Sequence, residues 1–240
     1  MFIESSQTRI LLDAGLSFRE LTMRMAQVGA DFSSLDAVFV THEHSDHWKG
    51  LGPLARKTKA TVYSTEGTFR GIQDRVGKLP HWKPLKAGRP QIVGDLLIEP
   101  YATPHDARES VAFAVHCGGK KIGHAADLGT INSTVVDHLR NSDVLLIESN
   151  HDVDMLMAGP YTWPLKQRIK SLVGHLSNEV CGELLAKVVH SKLQAAVLMH
   201  LSETNNCIDI AEITARQALG SYPAEMIVAR QDRATPFITI

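Results

Sequence analysis

Short apolar and β-branched runs alternate along the chain with longer stretches in which apolar residues recur every three or four positions. Runs of the first kind are typical of strands, and stretches of the second kind are typical of helices. The pattern predicts strands at Thr8–Leu12, Ala37–Val40, Ala60–Tyr63, Leu96–Tyr101, Val111–His116, Lys121–His124, Val144–Ile147, Ala195–Met199 and Glu225–Ala229.

The helical stretches are recognised by their apolar period and by Ser, Thr or Asn caps. They predict helices at Phe18–Val28, Trp48–Lys57, Thr68–Val76, Ser133–Arg140, Asn178–Ser191 and Ile208–Leu219. The sequence shows no internal repeat, low-complexity tract or linker. We therefore expect one α/β (α+β layered) domain over residues 1–240, with sheets covered by helices.

Composition narrows the class of protein. A chain of 240 residues with 44% hydrophobic content can bury a sizeable core, and its formal charge of −1 gives no overall attraction to nucleic acid or membranes. The scattered Cys117, Cys181 and Cys207 argue against a disulfide framework or a cysteine-based zinc site. Since neither a secretory leader nor a transmembrane run is present, we expect a soluble, cytoplasmic protein.

The segment Thr41–His47 places three imidazoles and a carboxylate directly after the predicted strand Ala37–Val40. In extended backbone, His42 and His44 share a face about 7 Å apart and can bind one ion. Asp46 and His47 lie beyond the turn and are aimed at a second point. The spacing therefore indicates two metal ions, although Asp46 is also a candidate N-cap of the following helix.

Further acidic or imidazole residues lie at the ends of other predicted strands: Asp13, His105, Asp127, Glu148 and His200. Side chains at strand ends are held by a rigid sheet, which a site of fixed coordination geometry requires.

The motif His42-x-His44-x-Asp46-His47, with Asp13 before it and His105, Asp127 and His200 after it, resembles the metallo-β-lactamase superfamily. The resemblance implies an αββα sandwich, with two sheets packed face to face, helices outside and metals at one edge. It implies a ligand set in which His42, His44 and His105 hold one ion, Asp46, His47 and His200 hold the other, Asp127 bridges both, and Asp13 orients the histidine loop.

Four further motifs resemble the YycJ/WalJ/VicX-type members, which are described as metal-dependent nucleases acting on DNA from the 5′ end. These motifs are Glu148-Ser-Asn-His151-Asp152, Pro164-Leu-Lys166-Gln-Arg168-Ile, Gly174-His175-Leu-Ser-Asn178 and His200-Leu-Ser-Glu-Thr-Asn205-Asn206.

Nitrogen and oxygen ligands without thiolate suit two ions of Zn²⁺, Mn²⁺ or Fe²⁺. A hydroxide bridging two ions can attack phosphorus while the metals neutralise charge. We take Asp46, His175 and Glu148 as candidate catalytic residues, with His175 as the acid for the leaving oxygen and Glu148 as its partner. The candidate substrate-lining residues are His151, Lys166, Arg168, Ser177, Asn178, Asn205 and Asn206.

Two departures from the relatives affect these expectations. The relatives usually begin with an extra edge strand and a Gly/Ser-rich loop, so we expect either that the start of this sequence is late or that the first sheet lacks that strand. The short interval from Asp127 to Glu148 leaves no room for a β-CASP insert. DNA would then lie across the domain's own surface or that of a homodimer. Hydrolysis of a small ester, thioester or lactone and a metal-bound signalling accessory remain the alternative functions.

Overall fold

The computed structural model describes residues 1–30 and 34–240, and its elements lie in two compact units. The first unit comprises Met1–Ala102, Ala107–Val111 and Arg233–Phe237. The second comprises Thr103–Asp106, Ala112–Asp232 and Ile238–Ile240.

The first unit contains a mixed sheet in the order β1-β2-β3-β4-β5, and an antiparallel hairpin of β6 and β7. The strands β2 to β5 are parallel, and β1 is antiparallel to β2. Buried Ala37, Val38 and Phe39 fill β3, as expected for a central parallel strand covered on both faces. The strands are β1 (Phe2–Glu4), β2 (Arg9–Leu12), β3 (Ala37–Phe39), β4 (Thr61–Thr65), β5 (Trp82–Leu85), β6 (Gln91–Val93) and β7 (Leu96–Ala102).

Helices of the first unit bury apolar residues from one face each, including Leu51 and Leu54 of α3 and Ile72 of α4. Side-chain caps fix where two of them begin: Ser17 accepts from Glu20 N, and Thr65 accepts from Thr68 N. The helices are α1 (Phe18–Gln27), α2 (Ser45–Trp48), α3 (Leu51–Thr58) and α4 (Glu66–Val76).

The second unit carries strands in the order β12-β11-β10-β9-β8, parallel from β9 to β12 and antiparallel between β8 and β9. The carboxyl ends of parallel strands meet at one edge, so residues that follow β9, β10 and β11 are brought together there. The strands are β8 (Val111–Cys117), β9 (Lys120–Ala125), β10 (Val144–Glu148), β11 (Ala195–Met199) and β12 (Glu225–Val228).

Helices of the second unit flank these strands, and α8 packs against α9. Buried Leu184 and Leu185 of α8 contribute to the core. The helices are α5 (Ser133–Leu139), α6 (Val153–Ala158), α7 (Trp163–Ile169), α8 (Asn178–Val188) and α9 (Ile208–Leu219). Among the described residues, no helix has the length and apolar character needed to cross a membrane.

All nine predicted strands are present, with ends shifted by at most two residues. The pattern missed β1, β5, β6, α6 and α7, which are short elements of three to seven residues. The predicted helix Trp48–Lys57 was wrong in its extent, because the chain forms two helices that end and begin on either side of Gly50.

Candidate metal centre

The first cluster consists of His42, His44, Asp46 and His47, which follow β3 in the first unit. His42 Nε2 lies 2.9 Å from His44 Nδ1, and His47 Nε2 lies 3.5 Å from Asp46 Oδ2. His42 and His47 are buried, whereas the Asp46 side chain is 64% exposed. Imidazole nitrogens that converge this closely suit coordination of a shared cation, because each can offer a lone pair.

Asp13 organises the first cluster from the end of β2. Its carboxylate accepts hydrogen bonds from Thr41 N at 2.8 Å and from His47 Nδ1 at 2.8 Å. Because Nδ1 donates to the carboxylate, Nε2 of His47 keeps its lone pair for a metal. Burial alone would raise the pKa of Asp13, but the charge and hydrogen bond of His47 and the bond from Thr41 lower it. The carboxylate therefore stays ionised and holds the ring.

The structure contradicts the alternative role of Asp46 as an N-cap. The N-cap position of α2 is taken by His44, whose side chain makes no capping hydrogen bond, and Asp46 lies inside the first turn. The extended backbone ends at His44, two residues earlier than this alternative requires. The carboxylate of Asp46 is therefore not committed to capping α2.

Glu148 organises the second cluster, which consists of His105, Asp127, His175 and His200 in the second unit. Its side chain is completely buried, and Oε1 accepts from His175 Nδ1 at 2.7 Å and from His200 Nδ1 at 2.8 Å. One carboxylate oxygen thus fixes two imidazole rings and leaves the Nε2 atom of each for another partner.

The other oxygen of Glu148 binds the backbone. Oε2 accepts from Leu128 N at 3.0 Å and from Leu176 N at 3.1 Å. Burial by itself would raise the pKa of Glu148, but the hydrogen bonds and charges of His175 and His200 lower it to about 2. With four donors on its two oxygens, Glu148 fits an orienting role better than that of a metal ligand.

Asp127 lies among the three histidines of the second cluster. Its Oδ1 is 3.6 Å from Nδ1 of both His175 and His200 and 3.7 Å from Nε2 of His105. His105 donates from Nδ1 to Gly174 O at 3.1 Å, which leaves Nε2 facing Asp127. Burial lowers the pKa of His105 and favours the neutral imidazole that metals bind.

His175 has the opposite protonation preference. Burial by itself lowers its pKa, but the hydrogen bond to Glu148 and the charges of Glu148 and Asp127 outweigh that effect, so the pKa is raised. The surroundings of His175 therefore favour the doubly protonated ring more than those of an ordinary histidine do. One cluster thus contains a histidine suited to coordination and a histidine suited to acid catalysis.

Residues with left-handed backbone conformation occur at both clusters. Among the described residues, five non-glycine positions have positive φ, and three of these are Asp13 (60°), Asp127 (56°) and His200 (59°). They follow the ends of β2, β9 and β11. A left-handed L-residue costs about 1–2 kcal/mol, and such residues concentrate at functional sites. The strand ends thus turn sharply where the site side chains lie.

The two predicted basic residues of α7 are already engaged within the second unit. Arg168 forms a hydrogen-bonded salt bridge with Asp106. Lys166 is 9% exposed and donates from Nζ to Met157 O at 2.7 Å. Lys166 therefore supports the end of α6 in this structure, and its predicted contact with a polyanion has no support from its position.

His151 and Ser177 form an isolated parallel bridge in which both residues are buried. Ser177 is the N-cap of α8 and accepts from Val180 N at 3.3 Å, as predicted for a helix that begins here. Burial lowers the pKa of His151. Neither side chain borders the cavity beside His175 and His200, so their substrate-lining role stays a prediction.

The three asparagines predicted to line the substrate site make hydrogen bonds to the residues that follow Glu148. Asn178 is buried, accepts from Ser149 Oγ at 2.6 Å and donates to Asn206 Oδ1 at 2.9 Å. Asn206 also donates to Ser149 O at 2.9 Å. Asn205 is buried, and its backbone oxygen accepts from Asp152 N at 2.9 Å. These contacts support the segment Ser149–Asp152, which follows Glu148.

The sequence model of the family described as beta-lactamase superfamily domain matches residues 8–201 of this chain. The chain belongs to the metallo-β-lactamase superfamily. It is 33% identical over 221 residues to exodeoxyribonuclease YycJ of Bacillus anthracis, covering 91% of this chain and 84% of the relative. It is 35% identical over 217 residues to exodeoxyribonuclease WalJ of Streptococcus pneumoniae serotype 2, covering 89% of this chain and 81% of the relative.

A solved structure confirms the fold of this metallo-β-lactamase chain. Zn(2+)-bound PqqB from Methylobacterium extorquens superposes with a TM-score of 0.72, covering 95% of this chain and 83% of that one at 20% identity. The predicted α/β fold is confirmed, with two mixed sheets and flanking helices, and the predicted membership of this superfamily is confirmed. The chain is a metallo-β-lactamase hydrolase, as expected.

The donor chemistry of this superfamily member fits divalent metal ions. Imidazole nitrogen and carboxylate oxygen predominate in both clusters, and the ligand atoms of Asp127, Glu148, His175 and His200 lie within 4.8 Å of one another. This donor set suits Zn²⁺, Mn²⁺ or Fe²⁺. The buried Cys181 takes no part, because burial raises the pKa of its thiol to about 12.

Sequence reasoning missed several hydrogen bonds that hold the side chains of this site. It paired Glu148 with His175, but Glu148 also binds His200 and two backbone N–H groups. It also missed the contact of His105 with Gly174 O. A glutamate at the end of the apolar strand β10 was the available signal, since a buried carboxylate needs several donors.

Proposed function

We propose that this hydrolase cleaves phosphodiester bonds with two divalent metal ions and degrades DNA from its 5′ end. The observation that carries the proposal is the pair formed by His175 and Glu148 beside Asp127, because it supplies an acid next to metal-binding groups. The relatives named exodeoxyribonucleases, matched over about nine tenths of this chain, support DNA as the substrate.

In this proposal the residues of the two clusters would hold two metal ions, as the family resemblance implies. His42, His44 and His105 would hold one ion, Asp46, His47 and His200 would hold the other, and Asp127 would be shared by both. When bound, two such ions activate water and neutralise charge on a phosphoryl group. Zn²⁺ and Mn²⁺ are the first metals to test, with Fe²⁺ as a further choice.

The chain's own residues then hold and move protons. Asp13 keeps a proton on His47 Nδ1, and Glu148 keeps one on His200 Nδ1, so that both Nε2 atoms remain ligands. His175 bonds Glu148 through Nδ1 and can give the proton on Nε2 to the leaving oxygen. Glu148 stabilises the charged ring until that transfer.

An activity comparison tests the reaction class. The Mn²⁺- or Zn²⁺-loaded protein should shorten 5′-phosphorylated duplex DNA from its 5′ end and leave a glutathione thioester unhydrolysed. Turnover of the thioester or of a lactone alone would contradict the nuclease proposal and favour a small-ester hydrolase. Full biological function of an Asp127→Asn protein would favour the signalling accessory.

The role of His175 has its own test. His175→Gln should lower kcat on DNA by about 10²- to 10⁴-fold, the usual contribution of a general acid, while two metals per chain remain bound. The matched control is His138→Gln on α5, outside both clusters. Loss of metal together with activity would show that His175 is a ligand and not the acid. A homodimer stays a prediction, measurable by light scattering.

A further inference from the structure

A cavity of about 390 Å³ opens beside His175 and His200 in the second unit, between α7 and the segment that follows β11. This volume lies within the range of small-molecule sites. The proposed mechanism uses only the two histidines at its inner end. That mechanism assigns no role to the other lining residues.

The charge of the lining disfavours a phosphate group. The one arginine or lysine among the lining residues, Arg168, is paired with Asp106, which also borders the cavity. The acidic Glu203 adds a further negative charge. With its guanidinium neutralised and an excess carboxylate nearby, the cavity favours an uncharged group.

One wall is apolar and aromatic. Tyr161, Leu165 and Ile169 line it from α7 and the turn before that helix. A tyrosine ring beside aliphatic side chains offers a flat surface on which a planar heterocycle can stack. Stacking on aromatic side chains is how proteins hold unpaired nucleobases.

Two amide side chains of the lining, those of Asn150 and Gln231, present hydrogen-bond acceptors. Asn150 donates from Nδ2 to His200 O at 2.9 Å, and Gln231 donates from Nε2 to Leu201 O at 2.9 Å. A carbonyl oxygen only accepts, so these bonds fix which end of each amide is the NH₂ group. The amide oxygens of Asn150 and Gln231 are thereby left as acceptors at the cavity.

We propose that this cavity binds an unpaired nucleobase that carries an exocyclic amino group, namely adenine, cytosine or guanine, of the strand being cleaved. The base stacks on Tyr161, and its amino group donates to the amide oxygens of Asn150 and Gln231. Thymine lacks that amino group and is bound less well. The inference rests on the proposed nuclease function, because it places the base next to the phosphate that His175 serves.

Binding to metal-free protein tests the cavity without any turnover. Fluorescein-labelled dC8 and dT8 are titrated with protein in EDTA, and anisotropy gives Kd. Wild type should bind dC8 about threefold more tightly than dT8, as one net hydrogen bond allows. Gln231→Ala should reduce that difference, with Asn150 remaining as an acceptor.

Substitution of Tyr161 should change oligonucleotide binding more than substitution of Gln231. Tyr161→Ala should weaken dC8 binding about fivefold or more, the lower end of what one stacked base contributes. Tyr161→Phe keeps the ring and should bind within about twofold of wild type. Tyr222→Ala, which removes a 42% exposed tyrosine outside the cavity, is the matched control and should change nothing.

Hydrolysis of bis(4-nitrophenyl) phosphate by the Mn²⁺-loaded protein separates the two proposals, because this diester has no base. Far-UV circular dichroism and the thermal unfolding midpoint of Tyr161→Ala, compared with those of wild type, show that the variant folds. Absence of any hydrolysis by wild type defeats the nuclease proposal but not the cavity. Failure of wild type to bind either oligonucleotide, equal binding of dC8 and dT8, or unchanged binding by Tyr161→Ala overturns the cavity proposal.

Discussion

The two clusters differ in how far apart their members lie in the sequence. Asp13 fixes a first cluster whose members all lie within His42–His47, and it does so through one histidine and Thr41. Glu148 fixes a second cluster whose members are spread from His105 to His200, and it does so through two histidines and two backbone N–H groups.

The difference shows two ways of holding imidazole rings at fixed angles. In the first unit a short loop brings the rings together, and the carboxylate only adjusts them. In the second unit parallel strands bring distant residues to one edge, and a buried carboxylate joins them. We therefore expect removal of the Glu148 charge to cost more than removal of the Asp13 charge.

Stability should show this difference most strongly. Glu148→Gln replaces an acceptor oxygen with an NH₂ group facing buried donors, and it should lower the free energy of unfolding by about 3 kcal/mol. Asp13→Asn should cost about 1 kcal/mol, because the Asp13 side chain is 17% exposed whereas that of Glu148 is completely buried. Urea unfolding of the metal-free proteins measures both. Equal losses would remove the proposed distinction.

Metal affinity should respond to both substitutions, and on the same ion, because His47 and His200 share one ion in the proposed ligand set. Asp13→Asn loosens His47 and Glu148→Gln loosens His200, so both should weaken the same one of the two binding steps by about 10- to 100-fold. Calorimetric titration with Mn²⁺ resolves the steps. Asp95→Asn is the matched control, since Asp95 accepts from Ser5 and Thr8 hydroxyls away from both clusters. Weakening of different steps by the two variants would contradict this ligand set.

The smallest effect should come from Asp143, just before β10, at the opposite end of that strand from Glu148. It accepts from Lys121 N at 2.9 Å and from Gln194 Nε2 at 3.1 Å. Burial would raise its pKa, but these bonds and Lys120 lower it. Asp143→Asn should cost about 0.5 kcal/mol at pH 7 and leave metal affinity unchanged.

The stability lost in Asp143→Asn should depend on pH, in the direction set by the lowered pKa of Asp143. A carboxyl whose pKa is lowered by folding stabilises the protein above its unfolded pKa and loses that effect as the pH falls through the folded pKa. The difference between wild type and Asp143→Asn should therefore shrink below about pH 4. A difference that is constant down to pH 2 would mean that the charge has no part in it.

The sequence predicted the first cluster more completely than the second, for a physical reason. His42 to His47 are neighbours in the chain, so local geometry alone brings them together. The shared bond of Glu148 with His175 and His200 depends on strand order, which no local pattern encodes. Short elements such as β6 and α6 were missed because too few residues are present for a period to emerge.

The left-handed backbone at Asp13, Asp127 and His200 restricts which amino acids these positions can accept, independently of metal chemistry. Asn adopts that conformation readily, whereas alanine and β-branched residues resist it. A mutational scan should therefore tolerate Asn better than Ala in folded yield at Asp127. For the same reason, Asp127→Asn isolates the loss of charge, while Asp127→Ala also changes the backbone preference.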